Sequence, residues 1–380
     1  MKLKRRVRPA TLFLAAFALG SGLVLAVAQG SGAASSSTIT ATAAYEIAHA
    51  GILNTTAFCG TKKITLGIED GYGINSWSQA SFAAVRSEAA KCSNVTQDVE
   101  AAGGSLPTMI SQIKGMANKG DQAIVVIPDD GQAELPAIEY ATQHGVKVVP
   151  WAANPGGKAP ADYVAYVDWN PGFSGTLFAN WMVTQLHGHG NVVELGGPAG
   201  NPVSAEELAA VVKVFKAHPG MKLLTGDSTW AVTDWTSSIA AQVTASLLAK
   251  YPTINGIISD YGTDVLAALN SFQAANRALP AVGVPDANGL GCLWIKVHKS
   301  QKQFQMITDS TRNWMGRVAA RKAIAAAEGI KDTEPNLYNL TPFENSTGSL
   351  PPRCDPKQPA DRYLSDQLTP QVIAEFGKTN

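Results

Sequence analysis

From Ile64 onward, short apolar runs alternate with longer segments whose apolar residues recur at helical spacing. Ala123–Ile127 is apolar throughout and is stopped by Pro128, as expected of a strand that is buried on both faces. In Leu106–Lys119 the apolar side chains share one helical face. Strands that alternate with helices form βαβ units, so the pattern predicts parallel sheets covered by helices on both sides.

The alternation occurs in two successive blocks, which predicts an α/β protein of two lobes, each with its own doubly wound parallel sheet. Strands are predicted at Ile64–Ile68, Val95–Val99, Ala123–Ile127, Val146–Pro150, Val164–Asp168, Val192–Leu195, Lys222–Thr225, Gly256–Ser259, Ala281–Val284 and Gln303–Ile307. Helices are predicted at Ser76–Lys91, Leu106–Lys119, Glu134–His144, Ala205–Ala217, Ser237–Lys250, Asp264–Ala275, Asn313–Glu328 and Pro370–Gly377. A helix-rich arm at Thr38–Phe58 is predicted before the blocks, and a Pro-rich tail follows them.

The first 34 residues have the order of a secretory signal peptide: a basic start, an apolar run from Ala10 to Ala28, and then small residues. An uncleaved membrane anchor is the alternative, because the run is close to the length that spans a bilayer. Gly20 and Gly22 dilute its apolar character, which favours the signal peptide. We therefore expect an exported protein of the periplasm or cell envelope.

Charge and cysteine usage narrow the classes of partner. The 380-residue chain carries 30 Lys and Arg against 30 Asp and Glu, which argues against nucleic acid as a partner. The four cysteines lack C-x-x-C spacing and favour disulfides over a metal site in an oxidising compartment. Cys59 and Cys92 precede neighbouring strands, so we predict a Cys59–Cys92 bond and a Cys292–Cys354 bond from the remaining pair. Buried free thiols are the alternative.

Carboxylates, amides and tryptophans recur where the predicted strands end, at the edge where parallel α/β sheets bind ligands. Indole rings stack on the C–H faces of a pyranose, while carboxylates and amides bond its hydroxyls. A single Trp can instead anchor a core, and a single Asp can cap a turn, but their recurrence favours a sugar-like ligand. The candidate residues are Asn75, Trp77, Asp129, Trp151, Asn154, Asp168, Trp235, Asp260, Tyr261, Asp286 and Asp309.

Arginine is scarce around these strand ends. Between Cys59 and Ser310 only Arg86 and Arg277 occur, both in predicted helices. Because phosphate and carboxylate are usually bound by Arg, an uncharged ligand is predicted, with a quaternary ammonium as the alternative. No nucleophile elbow, P-loop or G-x-G-x-x-G occurs, and we predict no catalytic residue, no cofactor and no metal. A glycosidase needs only two carboxylates, so that class stays open.

Several short segments carry a family resemblance by their order and spacing, from about Lys63 to Gly329. They are Asn75-Ser76-Trp77, Ala123-Ile124-Val125-Val126-Ile127-Pro128, Val192-Val193-Glu194-Leu195 with Gly196-Gly197-Pro198-Ala199-Gly200, Asp234-Trp235, Leu247-Leu248-Ala249-Lys250-Tyr251-Pro252 and Val282-Gly283-Val284. On these segments the chain resembles the type I periplasmic solute-binding proteins of ABC importers, in the ribose and simple-sugar class. The resemblance implies two lobes joined by three crossovers, near Asp168, Ser310 and Lys331, and hinge closure over the ligand.

The resemblance also implies roles for single residues. Trp77 falls where the family stacks an aromatic ring from the first lobe, and Trp235 falls where the second lobe supplies the opposing ring. Asp260 and Tyr261 match the region of a ligand-binding Asn, and Asp286 matches that of a ligand-binding Asp.

Two segments depart from the ribose-type pattern. Ala152-Ala153 stands where those members carry an Asp-Arg pair, and Ser204-Ala205-Glu206-Glu207 lacks the second-lobe Arg. The resemblance therefore implies the fold without implying an ordinary pentose or hexose as the ligand.

The expected organisation is a signal peptide at 1–34, an arm at 35–62, a first lobe at 63–167 plus 310–331, a second lobe at 168–309 plus 332–350, and a tail at 351–380. The expected function is that of a monomeric substrate-binding component, which delivers a small neutral solute to the membrane permease of an ABC importer. The alternatives are a ligand sensor for a receptor and an exported carbohydrate-active enzyme.

The leader is expected to be cleaved between Ala28 and Ala34, because Ala26-Val27-Ala28 and Gly32-Ala33-Ala34 both offer small residues after the apolar run. N-terminal sequencing of the exported protein measures the cleavage point. Membrane-bound protein that retains Met1 would contradict the expected export.

Overall fold

The structure, a computed structural model, describes residues 38–73 and 75–379. The predicted signal peptide lies outside the described residues. Within the described ranges, no helix combines the length and the apolar character needed to cross a membrane.

Strands and helices alternate along most of the chain. The first part contains β1 (Thr38–Ile39), α1 (Ala43–Ala48), β2 (Ile64–Asp70), α2 (Ser76–Ala89), β3 (Val95–Ala101), α3 (Leu106–Lys119), β4 (Ala123–Ile127), α4 (Leu135–Gln143) and β5 (Lys147–Pro150). The second part contains β6 (Asp168–Trp169), α5 (Pro171–Gln185), β7 (Gly190–Gly196), α6 (Pro202–Lys216), β8 (Met221–Leu223), β9 (Ala231–Val232), α7 (Ser237–Lys250), β10 (Gly256–Ser259), α8 (Gly262–Ala274), β11 (Ala281–Pro285), α9 (Asn288–Val297) and β12 (Met306–Asp309). The chain ends with α10 (Met315–Glu328), β13 (Lys331–Asp332), β14 (Leu337–Tyr338), β15 (Glu344–Asn345) and α11 (Pro370–Phe376).

The first lobe is built on a four-stranded parallel sheet in the order β3-β2-β4-β5. All five residues of β4 are buried, which accounts for its continuous apolar sequence. Ala123, Val125 and Ile127 pack toward α2 and α10, whereas Ile124 and Val126 pack toward α3 and α4. The alternation of side chains along one strand thus builds a core on each face of the sheet.

The second lobe contains a seven-stranded sheet in the order β15-β12-β11-β10-β7-β8, with β9 also paired to β7. Its strands are parallel except β15, which runs antiparallel to β12. Helices α5 and α6 cover one face, and α7, α8 and α9 cover the other. Two helix-covered sheets confirm the predicted α/β fold class.

The structure departs from the sequence pattern in two unpredicted helices, one strand and the arm. Helices α5 and α9 are not predicted; in α5 the partly buried Leu177, Trp181 and Val183 leave only a narrow polar face, which weakens the helical period. Of the predicted strand Val164–Asp168, only Asp168 lies in a strand, the two-residue β6. The arm, expected to be helix-rich, has only the six-residue α1 before residues 49–63, which are irregular.

The chain passes between the two lobes at three segments before the tail, as expected from the family resemblance. The first contains β6, and the second is residues 310–314, between β12 and α10. The third begins just after β13 and contains β14, which pairs in parallel with β6. The crossing segments therefore lie side by side at the hinge.

Two disulfides join the arm and the tail to the lobes, and both have the predicted pairing. Cys59–Cys92 joins the arm to the turn after α2, with a Cα–Cα distance of 5.1 Å. Cys292–Cys354 joins α9 to the tail, with a Cα–Cα distance of 4.6 Å. No free cysteine remains among the described residues.

A buried ion cluster centres on Arg321 of α10, whose side chain is 0% exposed. Its guanidinium donates to Glu334 at 2.6 Å, to Glu88 at 3.1 Å and to Glu46 at 3.3 Å. It also donates to the backbone oxygen of Gly51 at 2.8 Å. The cluster joins the arm, α2, α10 and the third crossing segment. Arg321 is the cation that pairs with Glu46 and Glu334, while Glu88 also pairs with Lys91 at 2.8 Å.

Replacing Arg321 with Met is expected to lower the free energy of unfolding by about 3–5 kcal/mol, because the buried carboxylates of the cluster lose their cation. Urea unfolding followed by circular dichroism measures the loss. The matched control is Lys216→Met, because Lys216 lies in an ion pair at the surface with 68% of its side chain exposed. Equal stability of the two variants would contradict a structural role for the cluster.

Candidate functional site

The candidate site lies where the order of strands reverses in both sheets. In the first sheet, Asp70 ends β2 and Asp129 follows its neighbour β4. In the second sheet, Gly197 follows β7 and Asp260 follows its neighbour β10. Loops that leave neighbouring strands in opposite directions open a crevice at the carboxyl ends, which is where α/β sheets bind ligands.

A narrow cavity of about 30 Å³ lies between the lobes at this point. Both lobes and the second crossing segment contribute to its wall. The lining residues are Asp70, Tyr72, Asn75, Trp77, Ser78, Ile127, Asp129, Ala152, Val203, Trp235, Asp260, Tyr261 and Arg312.

Six of the eleven residues predicted from the strand ends line this cavity. They are Asn75, Trp77, Asp129, Trp235, Asp260 and Tyr261. The other five lie outside its wall. They are Trp151, Asn154, Asp168, Asp286 and Asp309.

The five residues outside the wall have other positions. Trp151 is buried behind Trp77, with the two rings stacked at a centroid distance of 5.8 Å. Asn154 lines a neighbouring cavity and accepts a hydrogen bond from its own loop, the N–H of Gly156. Asp168 and Asp309 are buried carboxylates whose charge acts on Arg312, a cation in the cavity wall.

Asp286 anchors the C-terminal tail. Its carboxylate accepts hydrogen bonds from the backbone N–H groups of Leu364 at 2.7 Å and Ser365 at 3.1 Å, and from the Ser365 hydroxyl. Because the tail covers this strand end, Asp286 does not reach the cavity. The sequence pattern carries no signal for that contact, which joins residues 78 positions apart.

Arg312 is the main lining residue that the strand-end pattern misses. It lies just beyond Ser310, which ends the segment that contains only two arginines. Its side chain is 7% exposed, and the guanidinium lies 3.5 Å from the ring centroid of Trp169. Its Nε atom has no hydrogen-bond partner among the described residues. Burial lowers the pKa of Arg312, and the charge of Asp168 opposes that shift. The cavity therefore contains a cation, contrary to the expectation of an arginine-free site.

Two first-lobe carboxylates offer free acceptor atoms to the cavity. Asp70 accepts through Oδ1 from the backbone N–H groups of Tyr72 at 2.9 Å and Gly73 at 2.8 Å. Its buried Oδ2 has no partner in hydrogen-bond geometry in the described structure, although the nearby Ser78 hydroxyl offsets part of the rise that burial causes in the pKa of this carboxyl. The Oδ2 atom of Asp129 is likewise buried and unpaired. Buried polar atoms are nearly always hydrogen-bonded, so these two oxygens are suited to a bound hydroxyl.

Trp235 is held in the second-lobe wall by contacts on several sides. Its Nε1 donates to Asp260 at 3.1 Å, and the other Asp260 oxygen accepts from Ser204. Its backbone has φ of 46°, a left-handed conformation that is costly for a bulky residue. A Cβ atom on Gly197 would lie 2.3 Å from the indole, so only glycine fits beneath the ring.

Trp77 is tied to the hinge from the first lobe. Its Nε1 donates to the backbone oxygen of Thr311 at 3.0 Å. The amide of Asn313 donates in return to the backbone oxygen of Trp77 at 2.9 Å. Helix α2 begins one residue earlier, after Asn75, whose side chain caps it by accepting from the N–H of Ser78. Asn75 thus combines the cap role with a place in the wall.

The two lobes touch at the mouth of the cavity. The Tyr72 hydroxyl donates to the backbone oxygen of Asp234 at 2.7 Å and lies 3.0 Å from the Thr236 hydroxyl. The Asn201 amide donates to the backbone oxygen of Asp129 at 2.9 Å. Because each of these bonds joins opposite lobes, the cleft is closed in this structure.

The carboxyl groups of the site are suited to hydrogen bonding with hydroxyl groups. Among the described residues, no group of three or more His, Cys, Asp or Glu side chains is arranged to hold a metal ion. Burial raises the pKa of Asp70 to about 6, and burial together with the charge of Asp70 raises that of Asp129. Carboxyl groups with raised pKa can both donate to and accept from hydroxyls, as a polyol requires.

A two-lobed α/β fold with an aromatic-lined polar cavity at the hinge defines a class of binding proteins that close over their ligands. The chain belongs to the periplasmic binding protein family, because the family described as "Periplasmic binding protein domain" matches residues 70–331. This match confirms the resemblance seen in the sequence.

Individual relatives include a curated xylitol-binding protein of Mycolicibacterium smegmatis, 25% identical over 240 residues. That alignment covers 62% of this chain and 64% of the relative, so it spans less than two thirds of the relative's length. An ABC transporter solute-binding protein of Bacillus halodurans with bound myo-inositol has a TM-score of 0.63 and 15% identity, covering 74% of this chain and 95% of its own. The arabinose-binding component from Shewanella sp. ANA-3 has a TM-score of 0.62 and 16% identity, covering 73% and 91%. These two structures share the fold.

The ligand-free protein is expected to lose stability as the pH rises from about 4 to about 8. Burial raises the pKa of Asp70 to about 6, of Asp309 to about 7 and of Asp264 to about 8. In that window the folded state holds protons that the unfolded state releases, so the free energy of unfolding falls with increasing pH. Urea unfolding at pH 5 and pH 8 measures the slope.

Asp264→Asn tests the cause of that slope, because Asp264 is fully buried and its Oδ1 has no partner among the described residues. The variant should show a smaller pH dependence than the wild type. Asp227→Asn is the control, since 63% of that side chain is exposed. A slope that is unchanged in Asp264→Asn would show that another group is responsible.

Proposed function

We propose that this protein is the substrate-binding component of an ABC importer and captures a small neutral polyol in the interlobe cavity. The observation that carries the proposal is the set of unpaired polar atoms in one aromatic-lined cavity. Asp70 Oδ2 and Asp129 Oδ2 can accept hydrogen bonds, and Arg312 Nε can donate one. A hydroxyl group both donates and accepts, so neighbouring hydroxyls of one ligand satisfy both kinds of atom.

The charge of the cavity favours an uncharged ligand. The carboxyl groups of Asp70, Asp129 and Asp260 line the same cavity as Arg312, so an anionic ligand would have to compete with them for its guanidinium. A cationic ligand would lie beside Arg312 in a buried site, which is costly. The relative named for xylitol and the fold neighbour with bound myo-inositol both point to neutral polyols.

Closure of the cleft is the proposed mechanism of capture. Trp77 belongs to the first lobe and Trp235 to the second, so a ligand that touches both rings gains full contact only when the lobes are closed. Such a ligand shifts the population toward the closed form. The bonds made by Tyr72 and Asn201 then add to the stability of that form. The closed protein is the state that a permease would recognise, and no covalent bond of the ligand is broken.

The proposal places the protein outside the cytoplasm, after removal of the leader, as a monomer that meets a membrane permease. The proposed lobes are 63–167 plus 310–331 and 168–309 plus 332–350, with the tail from 351. The family match supports the export and the permease, because members of this family are periplasmic binding proteins.

Trp77→Ala and Trp235→Ala are each expected to weaken xylitol binding about tenfold or more, because each removes ring stacking and buried area. Isothermal titration calorimetry with xylitol, and with myo-inositol in parallel, measures the affinity. In small-angle scattering, the radius of gyration of the wild type should fall when the polyol that binds is added.

Trp181→Ala is the matched control, because Trp181 bonds Asn345 and Thr347 on the second lobe and does not line the cavity. It should bind the polyol as the wild type does. If both cavity variants bind normally, the site lies elsewhere. Chemical conversion of xylitol by the wild type would make the protein an enzyme.

A further inference from the structure

The first part of the C-terminal tail, residues 353–360, is fastened to the second lobe. Beyond the Cys292–Cys354 disulfide, the Asn288 amide donates to the backbone oxygen atoms of Asp355 at 2.9 Å and Gln358 at 3.1 Å. The N–H of Gly289 donates to the backbone oxygen of Ala360 at 2.8 Å. A Cβ atom on Gly291 would lie 1.8 Å from the backbone oxygen of Arg353, so this face of α9 is shaped for the tail.

The end of the same tail is docked on the first lobe. Arg86 of α2 donates to the backbone oxygen of Phe376 at 3.1 Å, and Arg317 of α10 donates to that of Asp366 at 3.0 Å. Ile373 of α11 is buried in one apolar cluster with three alanines of α2 and with the core of the second lobe. The tail therefore joins the lobes as a fourth connection, in addition to the three crossing segments.

Between these two anchors, Tyr363 reaches the wall of the cavity. Its hydroxyl donates to the hydroxyl of Tyr261 at 3.1 Å and lies 3.0 Å from the Ser76 hydroxyl. Tyr261 lines the cavity from the second lobe, and Ser76 begins α2 of the first lobe, next to Trp77. Tyr363 is 3% exposed and thus bridges the two lobes directly behind the site.

We propose that residues 351–379 form a strap that completes the polyol site, with Tyr363 as the positioning residue that holds Ser76 and Tyr261 together in the closed cleft. The proposal deepens the proposed function and rests on it for the ligand. The strap is joined to the second lobe by a disulfide, whereas it is held on the first lobe by non-covalent contacts with α2 and α10. Opening of the cleft therefore separates α11 from α2 or breaks the contacts of Tyr363, so the strap favours closure.

Tyr363→Phe tests the positioning role, because it removes one hydroxyl and keeps the ring. Xylitol affinity should fall by about three- to tenfold through the loss of bridging hydrogen bonds, with little change in thermal stability. Tyr251→Phe is the matched control, since it removes a hydroxyl that bonds the Leu224 backbone oxygen at 2.9 Å, outside the cavity wall. Equal affinity of Tyr363→Phe and Tyr251→Phe would overturn the positioning role.

Ile373→Asp tests the strap without any ligand, because a charge in the α11 interface should release the helix from α2. Small-angle scattering of the ligand-free full chain should give a larger radius of gyration than the wild type. Ile295→Asp is the control, because Ile295 lies on α9 with 47% exposure and should leave the radius unchanged. An unchanged radius in Ile373→Asp would overturn the strap.

The two experiments distinguish a failure of the strap proposal from a failure of the proposed function. If the wild type binds neither xylitol nor myo-inositol while Ile373→Asp still expands, the proposed ligand is wrong and the strap stands. If the wild type binds xylitol while neither Tyr363→Phe nor Ile373→Asp differs from its control, the function stands and the strap is wrong.

Discussion

The buried guanidinium of Arg321 is the interaction on which the hinge depends. It holds Glu46 of the arm, Glu88 of α2 and Glu334 of the third crossing segment in one cluster. Helix α2 carries Trp77 at its start, and α10 follows the segment that carries Arg312. Fixing these two helices to one another therefore fixes the first-lobe wall of the cavity, while the second lobe is left able to close against it.

The cavity itself is built at a cost in stability. Ala152, Trp235 and Arg312 all have left-handed backbone conformations, with φ of 63°, 46° and 64°. Buried oxygens of Asp70 and Asp129 have no partner in the described structure. Backbone strain and unpaired buried polar atoms concentrate at functional sites, where a ligand can relieve part of the cost. A ligand that pairs these atoms gains affinity because the protein has already ordered them.

The closed form is stabilised in part by hydrogen bonds that are each of modest strength. Outside the hinge, the lobes meet through hydrogen bonds from Tyr72 and Asn201, through the contacts of Tyr363 and through the packing of α11 on α2. Each such bond contributes only about 0.5–1.5 kcal/mol net, so a ligand needs little differential affinity to shift the population between open and closed forms. This balance is consistent with the proposed reversible capture and release of a ligand.

The sequence by itself determined the local order: buried strands such as Ala123–Ile127, most helices, the cysteine pairing and the residue types at the strand ends. These follow from periodicity and from the parallel βαβ rule, which act over short distances. Tertiary structure decided which strand ends face the cavity. Asp286 binds the tail, Trp151 packs in the core behind Trp77, and Arg312 lines the cavity from a crossing segment. Each of these outcomes depends on contacts between segments remote in the chain, and residue type and spacing carry no information about such contacts.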